Sequence, residues 1–157
     1  VPVLILFCLK KFYRTAILVI LSGVAGCGKT DTLNRLIGKL QQEPDLQTLT
    51  HLYTPNGKDQ LFIATTSSGT VAVVTAGDYE EIEFIDQALM ECKNAKIIFA
   101  AGRTRGAVHD LLCNFASKHE YNVIITSPML TFSKNKELQE ALNQHDASLL
   151  YELLPLL

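Results

Sequence analysis

The residues whose types and spacing most clearly suit ligand binding or catalysis lie at positions 23–30, in the run Gly-Val-Ala-Gly-Cys-Gly-Lys-Thr. This run satisfies the spacing G-x-x-x-x-G-K-[ST] without a mismatch. Glycines let the backbone turn tightly and bring peptide N–H groups close to phosphate oxygens, because no Cβ blocks the approach. We expect Lys29 to reach the β- and γ-phosphates and the Thr30 hydroxyl to bind magnesium. The residues predicted to bind the nucleotide are Gly23, Val24, Ala25, Gly26, Cys27, Gly28, Lys29 and Thr30.

The elements on either side would position this loop. Residues 15–21 form a short apolar run rich in β-branched side chains, which is typical of a strand buried on both faces of a parallel sheet. Downstream, an amphipathic helix is indicated by apolar residues at i, i+3, i+4 and i+7: Leu33, Leu36, Ile37 and Leu40. Strand, glycine loop and helix is the context in which this motif binds phosphate. The alternative is a plain strand-to-helix turn whose Lys-Thr pair is accidental.

Residues 23–30 resemble the Walker A motif of P-loop nucleoside triphosphatases and kinases. The resemblance implies a three-layer P-loop NTPase fold with a mostly parallel sheet, and ATP with Mg²⁺ as the ligands. It also implies hydrolysis or transfer of the γ-phosphate. The loop wording is similar to that of viral superfamily 1 helicases as well, but a helicase core normally needs two such domains. No Asn-Lys-x-Asp sequence is present, so we do not expect a guanine-specific switch GTPase.

Composition describes one compact domain rather than two. The chain has 157 residues, 48% of them hydrophobic, and a net charge of −2. We assign residues 15–157 to a single nucleotide-binding domain and residues 1–14 to an N-terminal arm or an extra strand. The near-neutral charge leaves no basic surface typical of nucleic-acid binding. The apolar residues 1–9 fall short of the roughly 20 needed to span a bilayer, so we expect a cytoplasmic protein without membrane contact.

The four cysteines have no spacing that suits a zinc site, so we expect reduced thiols. Cys27 occupies a variable position of the loop motif, which argues against a nucleophilic role. Homo-oligomers remain open.

A magnesium site in this class of protein usually includes an acidic residue at the end of an apolar strand. Asp78, after the β-rich residues 70–75, is the best candidate, although Ala76 and Gly77 separate it from the strand. The competing interpretation is structural. Asp78 and Glu81 have the spacing of a capping box ahead of a helix, and the two roles can coexist. We expect the neighbouring acids Glu80, Glu81 and Glu83 to face water.

Two arginines follow the next predicted strand, residues 95–101. Arg103 and Arg105 lie between Gly102 and Gly106, ahead of a helix whose apolar face begins at Val108. In open α/β sheets, ligands bind beyond the carboxyl ends of the strands, so this loop should share an edge with the glycine-rich loop. A guanidinium there could bind phosphate and stabilise the transition state. The alternative is a solvated basic loop.

The remaining patterns complete a mixed sheet. Asn56-Gly57 between residues 48–53 and 59–65 is a strong hairpin signal, and residues 70–75 would continue the meander. We therefore expect an antiparallel hairpin in an otherwise parallel sheet. Residues 121–126 predict the last strand, and two helices are expected at residues 135–144 and 148–154.

Two functional hypotheses follow. The first is an enzyme that hydrolyses or transfers the γ-phosphate of ATP, with Lys29, Arg103 and Arg105 as catalytic residues and Thr30 and Asp78 at the metal. The second is a nucleotide-dependent switch that binds a protein or nucleic-acid partner. A helicase-like ATPase domain is a third choice. No residue pattern identifies the general base, the acceptor substrate or the pathway.

Overall fold

The computed structural model describes residues 16–129 and 135–156, which form an α/β structure. The predicted arm at residues 1–14 lies outside these ranges. The strands are β1 (Ala16–Ser22), β2 (Gln47–Tyr53), β3 (Gln60–Thr66), β4 (Gly69–Val74), β5 (Ile97–Gly102) and β6 (Tyr121–Thr126). The helices are α1 (Lys29–Gln41), α2 (Ile82–Cys92), α3 (Ala107–Lys118) and α4 (Lys136–Leu153), with short 3₁₀ helices at Tyr79–Glu81 and Leu154–Leu156.

The six strands form one mixed sheet in the order β2-β3-β4-β5-β1-β6. The pairs β4–β5, β5–β1 and β1–β6 are parallel, whereas β2–β3 and β3–β4 are antiparallel. The predicted hairpin and meander are thus confirmed, and they form one end of the sheet. The four parallel strands place their carboxyl ends at a single edge. The loops that carry the predicted site residues begin at this edge.

Alternating side chains of the central strands feed two hydrophobic cores. Leu18 and Ile20 of β1 point to the core under α2 and α3. Val19 and Leu21 point to the opposite core, under α1 and α4. Because both faces are covered, the central strands read as continuous apolar runs, as expected for a parallel sheet.

Helices on the two faces create a crevice between neighbouring strands. The chain leaves β1 toward α1 on one face, and it leaves β5 toward α3 on the other. Since β1 and β5 are adjacent in the sheet, their loops diverge at this point. Ligands of open α/β sheets bind at such a divergence, beyond the carboxyl ends of the strands.

The C-terminal region differs from the expectation of two helices at residues 135–144 and 148–154. A single helix, α4, spans Lys136–Leu153, and only the 3₁₀ turn Leu154–Leu156 follows it. No glycine or proline interrupts residues 136–154, so nothing in the sequence breaks the helix. Its buried residues Ala147 and Leu150 lie on the side that faces α1 and the sheet.

Cys92 and Tyr121 predict how stability depends on alkaline pH. Burial is the main cause that raises the pKa of the Cys92 thiol to about 12. Burial is also the main cause that raises the pKa of Tyr121 to about 12. The unfolded chain loses these protons at lower pH than the folded chain. The free energy of unfolding should therefore hold below about pH 8 and fall toward pH 12, by up to about 1.4 kcal/mol per pH unit and group.

Urea unfolding at about pH 8 and about pH 11 measures this loss of stability. Cys92→Ala and Tyr121→Phe should each reduce the loss, because each removes one of the titrating groups. An equal loss in both variants and the wild type would contradict the prediction.

Candidate functional site

The glycine-rich loop, residues 23–30, connects the carboxyl end of β1 to the first turn of α1. Ser22 pairs with Gly102 of β5, and the Gly23 N–H donates to the Gly102 carbonyl at 3.4 Å. The loops after β1 and β5 therefore start side by side at the crevice. The expectation that residues 102–106 share an edge with the glycine-rich loop is confirmed.

Two positions of this loop depend on glycine for their backbone conformation. Gly26 has φ +76° and Gly28 has φ +91°, in the left-handed region that L-residues with a side chain rarely adopt. Gly28 is also the residue that precedes the first turn of α1, so its conformation turns the loop into the helix. Between them, Cys27 is buried, with its Sγ against Gly23. This burial agrees with a structural rather than nucleophilic Cys27.

Lys29 folds back over the loop that precedes it. Its ammonium donates to the carbonyls of Gly23 at 2.6 Å and Val24 at 3.2 Å. The residue is only 6% exposed. Burial is the main cause that lowers the pKa of Lys29, and the positive charge of Arg103 acts in the same direction. A buried cation held at the loop is well suited to meet the charge of a bound anion.

Asn143 of helix α4 packs against Gly28 of the loop. A Cβ on Gly28 would collide with the Asn143 side-chain amide. Asn143 itself is buried, and both polar atoms of its amide are hydrogen-bonded, since its Nδ2 donates to Asp31 and its Oδ1 accepts from Gln139, each at 2.8 Å. Asp31 also accepts from Arg35 at 2.8 Å. The start of α1 is thus fixed against the C-terminal helix.

Alanine at Gly28 should destabilise the fold, while alanine at Gly38 should stabilise it. Gly28→Ala combines a left-handed backbone with a collision against Asn143, for an expected loss of about 2 kcal/mol or more. Gly38 lies inside α1 with open space at its Cβ position, so Gly38→Ala should gain about 0.5 to 1 kcal/mol. Urea unfolding of both variants tests this. A free energy of unfolding of Gly28→Ala equal to that of the wild type would show that the loop does not require glycine at position 28.

A cavity of about 250 Å³ opens in front of the loop. Its lining combines loop glycines and Lys29 with three carboxylates. The lining residues are Ala25, Gly26, Gly28, Lys29, Thr30, Asp31, Asp59, Gly77 and Asp78. The predicted binding loop and the predicted metal-site acid therefore face a common space.

Three lining residues were not predicted as site residues, namely Asp31, Asp59 and Gly77, and of these Asp59 contacts Thr30. Asp59 directly precedes β3, and its Oδ1 accepts from the hydroxyls of Thr75 at 2.9 Å and Thr30 at 3.4 Å. Because β3 runs antiparallel to β4, the start of β3 lies at the edge where β4 ends. The only sequence signal was the Asn-Gly turn, which returns the chain to this edge just before Asp59.

Asp78 faces the cavity, but its contacts differ from the capping interpretation. An exposed ion pair joins its Oδ1 to Nη2 of Arg103 at 2.7 Å. The α-helix begins at Ile82, and neither Asp78 nor Glu81 makes a side-chain cap hydrogen bond. The capping-box prediction is therefore wrong, because a 3₁₀ turn lies between Asp78 and the helix and the Arg103 guanidinium binds the carboxylate instead.

The two predicted arginines occupy different surroundings. Arg103 is half-buried beside Asp78, and its charge acts on Lys29. His109 of α3 fixes the backbone there, since its Nδ1 lies 3.1 Å from the Arg103 carbonyl oxygen. Arg105 is exposed and makes no side-chain hydrogen bond or ion pair within residues 16–129 and 135–156. Of the two arginines, Arg103 is thus the one that lies near Asp78 and Lys29.

Glu81 also departs from the expectation that it faces water. It is half-buried, its Oε1 accepts from Asn56 Nδ2 at 3.4 Å, and its Oε2 is buried without a hydrogen-bond partner among the described residues. Partial burial is the main cause that raises the pKa of Glu81, and the negative charge of Asp59 raises it further. Glu81 also lines a second cavity of about 440 Å³, beside the turn between β2 and β3. Glu80 and Glu83 are exposed, as expected.

Two further observations concern the described part of the chain. No group of three or more His, Cys, Asp or Glu side chains is arranged there to hold a metal by itself. None of the helices in residues 16–129 and 135–156 has both the length and the apolar character needed to cross a bilayer.

Comparison of the chain with protein-family models, with curated proteins and with solved structures finds no match in any of the three.

Proposed function

We propose that this protein binds ATP with Mg²⁺ and hydrolyses or transfers the γ-phosphate, as a P-loop NTPase does. One observation carries the proposal. The loop at residues 23–30 lies between β1 and α1 at the carboxyl edge of a parallel sheet, with the buried Lys29 ammonium at a cavity of about 250 Å³. Residue types, backbone conformation and location all suit a polyphosphate.

In this proposal, each group at or near the cavity has a separate role. Loop N–H groups and Lys29 would bind the β- and γ-phosphates, and the N-terminal end of α1 would add its partial positive charge. Arg103 would stabilise charge that develops on the transferred phosphoryl group. Arg105 would contribute only if its exposed side chain turned toward the site.

Magnesium fits the side chains that line this cavity. The Thr30 hydroxyl faces it together with the carboxylates of Asp59 and Asp78. Mg²⁺ is commonly bound through one or two carboxylates with substrate phosphates and waters, so it does not require three protein acids. The ion would neutralise charge on the β- and γ-phosphates.

Glu81 is our candidate for the general base that the sequence did not reveal. It is half-buried beside Asn56 at the cavity of about 440 Å³, and partial burial is the main cause that raises its pKa, which suits a carboxylate that accepts a proton. The proton would come from water in hydrolysis or from an acceptor hydroxyl in transfer. The 440 Å³ cavity that Glu81 lines offers room for an acceptor, which favours testing transfer alongside hydrolysis.

Calorimetric titration with ATP and Mg²⁺, paired with phosphate release, tests the proposal. Binding with phosphate release supports hydrolysis. Binding in which phosphate release is replaced by a phosphorylated product when acceptor alcohols are added supports transfer. Absence of nucleotide binding would refute the proposed function.

A nucleotide-dependent switch is the second candidate, and strand β6 favours it. Val123, Ile124 and Ile125 are 40%, 38% and 57% exposed, so apolar side chains face solvent on both sides of this strand. Exposed apolar surface of this kind is typical of contact with a partner. ATP binding with negligible turnover would support this alternative over the enzyme.

A further inference from the structure

The carboxylate that completes the magnesium site can be argued from the end of β4. The pattern expected for this site has an acid directly after that strand. Here the position is Thr75, a neutral and fully buried residue, and Asp78 follows three residues later. The side chain at the expected place therefore carries no charge to offer a cation.

Thr75 instead holds two groups of the cavity together. Its hydroxyl accepts from the Gln60 N–H at 2.8 Å and donates to Asp59 Oδ1 at 2.9 Å. Its carbonyl accepts from the Thr30 hydroxyl at 3.3 Å. The carboxylate of Asp59 and the hydroxyl of Thr30 are thus 3.4 Å apart and are oriented by one buried residue.

Asp78 is committed to a different partner. Its Oδ1 forms the 2.7 Å ion pair with Arg103, and no side-chain hydrogen bond joins it to Thr30 among the residues that the structure describes. An acid paired with a guanidinium has less charge available for a metal than one that accepts only neutral hydroxyls on the same oxygen.

We propose that Asp59, directly before the antiparallel strand β3 next to β4, is the acidic residue that binds Mg²⁺ beside Thr30, with Thr75 as its positioning residue. Asp78 instead pairs with Arg103 near Lys29. This inference rests on the proposed function, because the ion arrives with the nucleotide. The inference differs from the expected site because the metal-binding carboxylate comes from the β2–β3 hairpin rather than from the loop after β4.

Binding of a non-hydrolysable ATP analogue, measured with Mg²⁺ and with a chelator, separates the two carboxylates without requiring activity. Asp59→Asn should lose about tenfold or more of the Mg²⁺-dependent gain in affinity. Its affinity in the chelator should be unchanged or higher, because a negative charge near the phosphates is removed. Asp78→Asn, which removes the competing carboxylate, should lose much less of the Mg²⁺-dependent gain than Asp59→Asn.

A measurement on the wild type covers the case in which Asp59→Asn does not fold. With Mn²⁺ in place of Mg²⁺ and the analogue bound, paramagnetic broadening of ¹³C-labelled aspartate carboxyl signals reports distance to the ion. We expect the Asp59 signal to be broadened most strongly, with Asp78 less affected.

Three outcomes decide between the proposals. Loss of the gain in Asp59→Asn with stronger broadening of Asp59 supports the inference. A gain retained in Asp59→Asn, or lost in Asp78→Asn alone, overturns it while nucleotide binding stands. A wild type that binds no analogue with or without the cation refutes the proposed function and this inference with it.

Discussion

Lys29→Ala is expected to remove detectable ATP binding with Mg²⁺ and to lower kcat/KM for phosphate release about 10²- to 10³-fold. Lys29 supplies the buried ammonium at the cavity, where it donates to loop carbonyls at 2.6 and 3.2 Å. In such a site a charged donor is fixed before the reaction and is little screened by water. Calorimetric titration and a phosphate-release assay measure the two effects.

Lys39→Ala provides the matched control for this result. Lys39 lies in the last turn of the same helix, at the end remote from the cavity, so its removal changes the net charge equally without touching the site. Its binding and turnover should equal those of the wild type. Urea unfolding of Lys29→Ala should show a folded protein. Unchanged ATP affinity in a folded Lys29→Ala protein would mean that the loop does not bind phosphate.

Arg103→Gln is expected to reduce kcat about 10³-fold with a smaller change in ATP affinity. Arg103 is the arginine that lies near Lys29 and is oriented by Asp78. A guanidinium that binds the transferred phosphoryl group acts mainly in the transition state, so its loss appears in kcat. Loss of its exposed ion pair should cost the fold no more than about 1 kcal/mol.

Arg105→Gln tests whether position or charge is responsible. It removes the same charge from the same loop, but Arg105 is exposed and two residues further along. We expect its steady-state kinetics to remain within about twofold of the wild type, as for a surface substitution. A large loss of kcat in Arg105→Gln and none in Arg103→Gln would exchange the roles of the two arginines.

The local elements could be predicted because their signals lie within a few residues. The β-branched run before Gly23, the helical spacing after Thr30 and the Asn-Gly turn each depend on neighbouring side chains and backbone propensity. The parallel edge shared by the loops after β1 and β5 also followed, since parallel strands end together. The number of C-terminal helices was missed because α4 is continuous where its apolar pattern weakens.

The composition of the site was less accessible. Asp59 and Glu81 were missed as site residues because their roles depend on which strand pairs with β4 and in which direction. A short-range pattern favoured Asp78 with Glu81 as a helix cap, whereas the Arg103 guanidinium, 25 positions along the chain, binds Asp78 instead. Long-range charge contacts of this kind leave no periodic signal.

The sequence by itself determined an α/β protein with a glycine-rich loop suited to phosphate between a buried strand and an amphipathic helix. That loop is local because backbone conformation and residue spacing define it. Tertiary structure alone decided which carboxylates surround Thr30 and which arginine approaches Lys29. It also decided that Asn143 of α4 supports Gly28. These relations join residues far apart in the chain, so strand pairing and helix packing must form before the side chains meet.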